Sequence, residues 1–467
     1  MEEKKIEFYG GWKMSFIPAL VFFGTCILLF VVLLSFDMHA LAMGGFLGII
    51  IGGFFAKDFK AYWDGVIKEI ASENSVTIVV VLFIIGMFAQ MMKDSNISEG
   101  FIWIANTVGL RGGPFIGFVF VTSCIIATAT GSSIGTMFAA FPIFYASGVE
   151  LGISPVFLAG AITSGCIFGD NLAPISDTTI ASASTQSYKD GRPTEIAGVV
   201  ASRFKYSLVA GIISLVLFVL LSDNMQGESI NQITGSPKPL FMLIPITVLL
   251  LTAIKTKDIF RSISYGLVVG IVTGLVTGIF TIDSLFASSS ELGNHVTGFL
   301  PTGVKEMMGT VTLVISVFGV MGVLRRAGSM EKVINGISNS RLANTVMGTE
   351  IAIAVGICLI TAFFGGVTSA SILTFGPIAD ELGREKNIHP YRRANLIDGF
   401  ANSLPVSLPF LSVFVFITAA LSGLSPAAVA GGLIYPMVLF VVLCFSVLTG
   451  WGRIYEIEYE KVVKTEG

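Results

Sequence analysis

About a dozen apolar runs approach or reach the roughly 17 to 25 residues that a helix needs to cross a bilayer, and short connections join them. No soluble core could absorb so much apolar surface. Hydrophobic residues make up 53% of the 467 positions, charged residues only 13%, and Phe alone occurs 38 times. Soluble-enzyme readings start far behind, and the chain reads as an all-α polytopic membrane protein with no catalytic residues of its own. Helical spans are expected at 15–36, 38–56, 75–92, 113–130, 136–148, 154–169, 204–222, 239–254, 263–283, 308–325, 345–364, 393–420 (interrupted) and 431–450. Lys4, Lys5 and Lys13 precede the first of these without a small-residue cleavage site, so it reads as an uncleaved span. Cys26, Cys124, Cys166, Cys358 and Cys444 lie inside apolar runs without CxxC spacing and read as small core residues.

The two halves of the chain match. Gly86 to Asp94, followed by an amphipathic 97–106, corresponds to Gly319 to Ala327 and an amphipathic 330–338 at an offset of 233. Gly131 to Ile143 corresponds to Gly366 to Ile378 at 235, and Asn171-x-x-Pro174-Ile-Ser176 to Asn402-x-x-Pro405-Val-Ser407 at 231. One nearly constant offset at three landmarks predicts an internal duplication, 1–230 and 231–467. Glycines at 44, 48 and 52 recur as Gly266, Gly270, Gly274 and Gly278, a spacing that serves close helix packing.

Basic residues orient the halves. Seven segments assigned to the cytoplasm, 1–14, 57–72, 187–205, 255–262, 325–344, 381–393 and 451–467, carry 24 of the 28 Lys and Arg. That asymmetry predicts both termini in the cytoplasm of a cell-membrane protein. It also requires 113–148 to enter and leave from outside, and 345–380 from inside, as re-entrant hairpins. The halves then form inverted repeats whose interrupted helices meet near the midplane.

Pro174 and Pro405 each remove a backbone donor and free carbonyls in the middle of a span. Such carbonyls cost several kcal/mol in hydrocarbon unless they line a cavity or bind something. Na+ is a suitable guest, because Asn171, Ser176, Asn402 and Ser407 place side-chain oxygens at the same two breaks. A pair of proline kinks repaired by Asn and Ser is the alternative; their repetition at equivalent positions favours an ion site. Polar groups at the hairpin tips, Ser132 and Ser133 in one and Thr368 and Ser369 in the other, offer further contacts. Thr130-Gly-Ser-Ser-Ile-Gly-Thr136 lacks the lysine of a phosphate loop, and neither nucleotide nor nucleic acid is expected as a partner.

Asp170, Asp177 and Asp398 are the carboxylates nearest the breaks. An ionisable group within a span faces a polar cavity by default. One carboxylate that holds either Na+ or H+ is the simplest physical basis for exchanging the two ions. Asp177 is equally suited to cap a restarting helix. Glu350 is a weaker candidate near the start of its span. His39, His295 and His389 fall in connections, which leaves proton work to the aspartates, and no Lys or Arg is expected mid-span.

The string Gly169-Asp-Asn-Leu-Ala-Pro-Ile-Ser-Asp-Thr-Thr179 closely resembles the signature of NhaC-type Na+/H+ antiporters, and the similarity extends along the chain to the second motif at 402–407. The resemblance implies an elevator-like transporter. Scaffold helices at 15–92 and 239–325 would mediate a homodimer, while hairpins and broken helices at 113–222 and 345–450 move. It marks Asp170, Asn171, Ser176, Asp177, Thr178, Asn402 and Ser407 as ion-site positions, with Na+ held by Asp170, Asn171, Asp177 and Asn402. It implies transported Na+ and H+ and no cofactor. Similar proteins carry malate, lactate or amino acids, so a small organic solute is the alternative cargo.

Overall fold

Left-handed glycines end several helices of this chain, at Gly131, Gly278, Gly423 and Gly450. The structure, a computed structural model, describes residues 5–33, 37–97, 99–100, 103, 107, 112–223, 235–256, 258–289, 295–329, 332, 336 and 344–456. Most of the amphipathic segments at 97–106 and 330–338 therefore lies outside the described residues. Helices α1 (Ile17–Ile27), α2 (Met38–Gly53), α3 (Phe59–Ile70) and α4 (Glu73–Asp94) lead to a hairpin of α5 (Gly113–Thr130) and α6 (Ser133–Glu150). The first half closes with α7 (Pro155–Leu172) and α8 (Asp177–Ser184), separated by a break, and α9 (Ile196–Asp223).

The second half opens with α10 (Leu243–Thr256) and α11 (Ile259–Thr277), then a small antiparallel ribbon, Ala287–Ser289 with His295–Thr297, and α12 (Phe299–Arg326). A second hairpin of α13 (Val346–Phe363) and α14 (Thr368–Glu385) precedes α15 (Pro390–Ala401), α16 (Val413–Ser422), α17 (Pro426–Gly432) and α18 (Ile434–Thr449). Seven helical segments among the described residues are long and apolar enough to cross a membrane, or eight if α16 and α17, bent by 104°, form one span. This is a multi-pass membrane protein.

Several boundaries differ from expectation for local reasons. The connection 57–72 contains α3, which was hidden from a hydropathy reading because it buries one face, Tyr62, Val66 and Glu69, and exposes the other. Asp58 starts it by accepting the Ala61 N–H at 3.0 Å. The span expected at 263–283 ends at Thr277, where Gly278 takes a left-handed φ of +64°. The span expected from 204 begins at Ile196, which brings Arg203 inside a helix.

Packing divides the helices into two groups. α1 to α4 pack with α12, and α11 packs with α10 and α4; α5 to α9 pack among themselves and with the second hairpin and α15 to α18. The α4–α12 crossing is glycine on glycine. A Cβ on Gly86 would lie 2.4 Å from the Gly303 carbonyl oxygen, and one on Gly303 would lie 2.4 Å from that of Gly86. Gly44 and Gly48 likewise press against α1, where their Cβ atoms would meet Thr25 and the Pro18 backbone. Gly303→Val is expected to destabilise the protein by about 1 to 3 kcal/mol through forced separation of the helices, read as a lower melting temperature of the detergent-purified protein.

Candidate functional site

Two chain breaks sit where helices would otherwise run on. In the first, α7 ends at Leu172, Ala173 is extended, and Ser176 occupies the cap position before α8. The Asp177 carboxylate accepts the Thr178 N–H at 2.8 Å, so this residue does serve the helix start. In the second, α15 ends at Ala401, Pro405 lies in a tight turn at Leu404–Ser407, and the chain runs on to the restart at Val413.

Each hairpin tip rests on the break of its own half. Gly131 turns the first tip with φ +66°, and a Cβ there would stand 2.6 Å from Cγ1 of Ile175. Gly366 turns the second with φ +79°, and its Cβ would stand 3.0 Å from Oγ of Ser412. Val413 N–H also donates to the Gly365 carbonyl at 2.8 Å. Glycine is required at both places by conformation and by space. Ser369 of the second tip and Asp177 of the first break line the same space.

These pieces line a partly open cavity of about 430 Å³. Its walls are Thr130 to Gly135 of the first tip, Gly366 to Ser369 of the second, Asp170, Ile175 and Asp177 of the first break, and Thr77, Ile78 and Val81 of α4. Ser133 donates to Asp170 Oδ2 at 3.1 Å, while Asp170 Oδ1 is buried and has no hydrogen-bond partner among the described residues. Ser132 instead caps α6, accepting the Gly135 N–H at 3.0 Å. The structure thus brings Asp170, Asp177, Ser132, Ser133, Thr368 and Ser369 to one space.

The remaining candidates lie behind that space. Asn171 donates to Tyr435 Oη at 3.2 Å, and its Oδ1 is buried without a partner among the described residues. Ser176 and Thr178 pair their hydroxyls at 3.0 Å. Ser407 Oγ is also buried without such a partner. Asn402 donates to Asp398 Oδ1 at 2.7 Å, and Asp398 in turn meets a cation that sequence reasoning missed.

That cation is Arg203 of α9, 2% exposed. Its Nη1 lies 2.6 Å from Asp398 Oδ2 and donates to the Asn171 carbonyl at 2.9 Å and to Thr179 Oγ1 at 3.0 Å. Its Nε donates to Asn395 Oδ1 at 3.0 Å, and its Nη2 to Ser182 Oγ at 3.2 Å. One guanidinium therefore joins both breaks. The signal was present but read as the edge of a connection, one residue before the expected helix start.

A second buried network is separate. Glu350, fully buried, is held bidentately by Arg392 at 2.8 and 3.1 Å and by Arg453 at 2.8 Å. Neither arginine is an expected site residue, and the pair anchors α13 to α15. Among the histidines, His389 caps α15; burial, and then nearby Arg393, push its imidazole down to about 4, so it is neutral at physiological pH. His39 is exposed, and the side chain of His295 lies outside the described residues.

A family model described as the Na+/H+ antiporter family matches residues 6–222 and 194–454. The chain is 24% identical over 366 residues to the Na+/H+ antiporter NhaC of Bacillus subtilis, covering 73% of this chain and 78% of that protein. It is 24% identical over 377 residues to the arginine/ornithine antiporter ArcD of Halobacterium salinarum, covering 75% of each. A third relative, the malate-2H+/Na+-lactate antiporter of Bacillus subtilis, is 25% identical over 210 residues, 45% of this chain and 43% of that protein, so the match spans less than half of its length. With a family match running almost from end to end, the chain belongs to the Na+/H+ antiporter family.

Proposed function

We propose that this protein exchanges cytoplasmic Na+ for external H+, and that exchange takes place in the cavity between the hairpin tips and the first break. The observation that carries the reading is the convergence of Asp170, Asp177 and the tip hydroxyls on one space of about 430 Å³. Two carboxylates with serines at their sides suit a hard monovalent cation, and the open Oδ1 of Asp170 gives that cation, or a proton, a place to bind. The distribution of basic segments supports reading both termini as cytoplasmic. The halves 1–230 and 231–467 are read as inverted repeats, with 15–92 and 239–325 as the scaffold of a homodimer. Residues 113–222 and 345–450 are read as the moving part.

Proteoliposomes with an entrapped pH dye provide the test. Addition of Na+ or Li+ should drive proton movement across the membrane, and no response to either ion across neutral and alkaline pH overturns the reading. Ser133→Ala, which removes the hydroxyl that donates to Asp170 Oδ2 at 3.1 Å, is expected to raise the Na+ concentration for half-maximal exchange about tenfold, the worth of one hydrogen bond to a charged group.

A second reading has one observation in its favour. The cavity volume lies within the roughly 300 to 1,000 Å³ range of small-molecule sites and exceeds what a bare alkali ion fills. Relatives named for malate, lactate, arginine and ornithine exchange suggest the solutes to try. Labelled uptake of those four with and without Na+ separates the readings, because pure cation exchange predicts no solute flux.

A further inference from the structure

The two breaks carry related motifs but differ in what their carboxylates touch. Asp170 keeps one oxygen open and lines the cavity. Asp398 is fully buried and lies outside the cavity wall, and both of its oxygens are engaged: Oδ2 by Arg203 at 2.6 Å and Ser182 at 3.2 Å, Oδ1 by Asn402 at 2.7 Å.

We propose that Arg203 is a tethered cation that permanently fills the ion position of the second break, leaving the first break as the single exchange site. The inference rests on the reading of Asp170 and Asp177 as that site. Several features support it. A guanidinium stays charged under all physiological conditions, so this occupant neither leaves nor titrates. Arg203 also reaches past Asp398 to the Asn171 carbonyl at 2.9 Å and Thr179 at 3.0 Å, so it holds the backbone of the first break in place from behind. It is a positioning residue, and it makes the second break a fixed support for the first. The Asn of the repeated motif accordingly plays two parts. Asn402 is turned onto Asp398 by both Nδ2 contacts, at 2.7 and 3.1 Å, whereas Asn171 keeps its Oδ1 without a partner among the described residues.

Equilibrium binding of radioactive Na+ to the detergent-purified protein tests this. The parent chain should bind one Na+ per polypeptide. Arg203→Gln vacates Asp398, and a second Na+ should then bind, together with a thermal stability that drops in Na+-free buffer and recovers when Na+ is added. A merely structural arginine predicts a loss of stability that Na+ does not reverse. Arg203→Lys, which keeps the tethered charge, should stay at one Na+, as should Arg203→Gln combined with Asp398→Asn. If Arg203→Gln does not fold in Na+-free buffer, its folded yield with and without Na+ decides: recovery by Na+ upholds the proposal and no recovery overturns it. A parent count of two, or a folded Arg203→Gln that binds one, also overturns it. Asp170→Asn is the control on the underlying reading, because a parent count that survives it removes the first break as the exchange site whatever Arg203 does.

Discussion

Asp170→Asn is expected to reduce Na+-driven proton exchange at least about 100-fold while leaving the protein folded. The amide has the shape of the carboxylate, so the contact with Ser133 at 3.1 Å has an acceptor in the variant as well. What is lost is the charge, in a place where Asp170 is 3% exposed and water screens little. Removing one partner of a buried charge pair costs about 3 to 5 kcal/mol, and each 1.4 kcal/mol is tenfold in affinity. Proteoliposome flux with parallel gel filtration checks it. A monodisperse variant with parent-like flux would move the exchange site away from this carboxylate.

The second large effect is on folding. Glu350→Gln leaves the guanidinium of Arg392, 1% exposed, without its bidentate partner and takes the 2.8 Å contact from Arg453. An uncompensated buried charge of this kind destabilises by about 3 to 5 kcal/mol, a large share of the roughly 5 to 15 kcal/mol by which an ordinary protein is stable. The measurement is the melting temperature of the purified variant, with a steep fall in folded yield as its companion. Glu350→Leu combined with Arg392→Met should recover much of the loss, since an apolar pair of similar volume needs no counter-charge. If Glu350→Gln melts with the parent, the pair is not what ties α13 to α15.

The elements that depend on local chemistry were legible in the sequence. Gly131 and Gly366 mark the hairpin tips because no other residue fits a left-handed turn pressed onto a neighbouring chain. Pro174 and Pro405 mark the breaks because proline withholds a backbone donor, although Pro142 and Pro377 are carried inside α6 and α14. Six of the expected site residues share one cavity as a result. Arg203 and Glu350 were harder. A count of basic residues treats an arginine next to an apolar run as a marker of the water side. Nothing local says that Arg203 is neutralised by a carboxylate 195 positions later, or Glu350 by an arginine 42 positions later. Burial of a charge is decided by its long-range partner. Hydropathy along the chain carries no record of that choice.

The glycine crossing of α4 and α12 limits how this protein can change shape. Gly86 and Gly303 let the two backbones touch, and sliding either helix by one turn, about 5.4 Å, would bring a side-chain-bearing residue such as Gln90 or Met307 into the notch. The two helices therefore act as one rigid beam. On the proposed reading of 113–222 as the moving part, displacement would fall on the other face of α4, where Thr77, Ile78 and Val81 line the cavity with the first hairpin tip. At the level of the cavity that wall offers the Thr77 hydroxyl beside the hydrocarbon of Ile78 and Val81, so a hairpin moving there would break few polar bonds until it met Gln90 and Lys93 further along the helix.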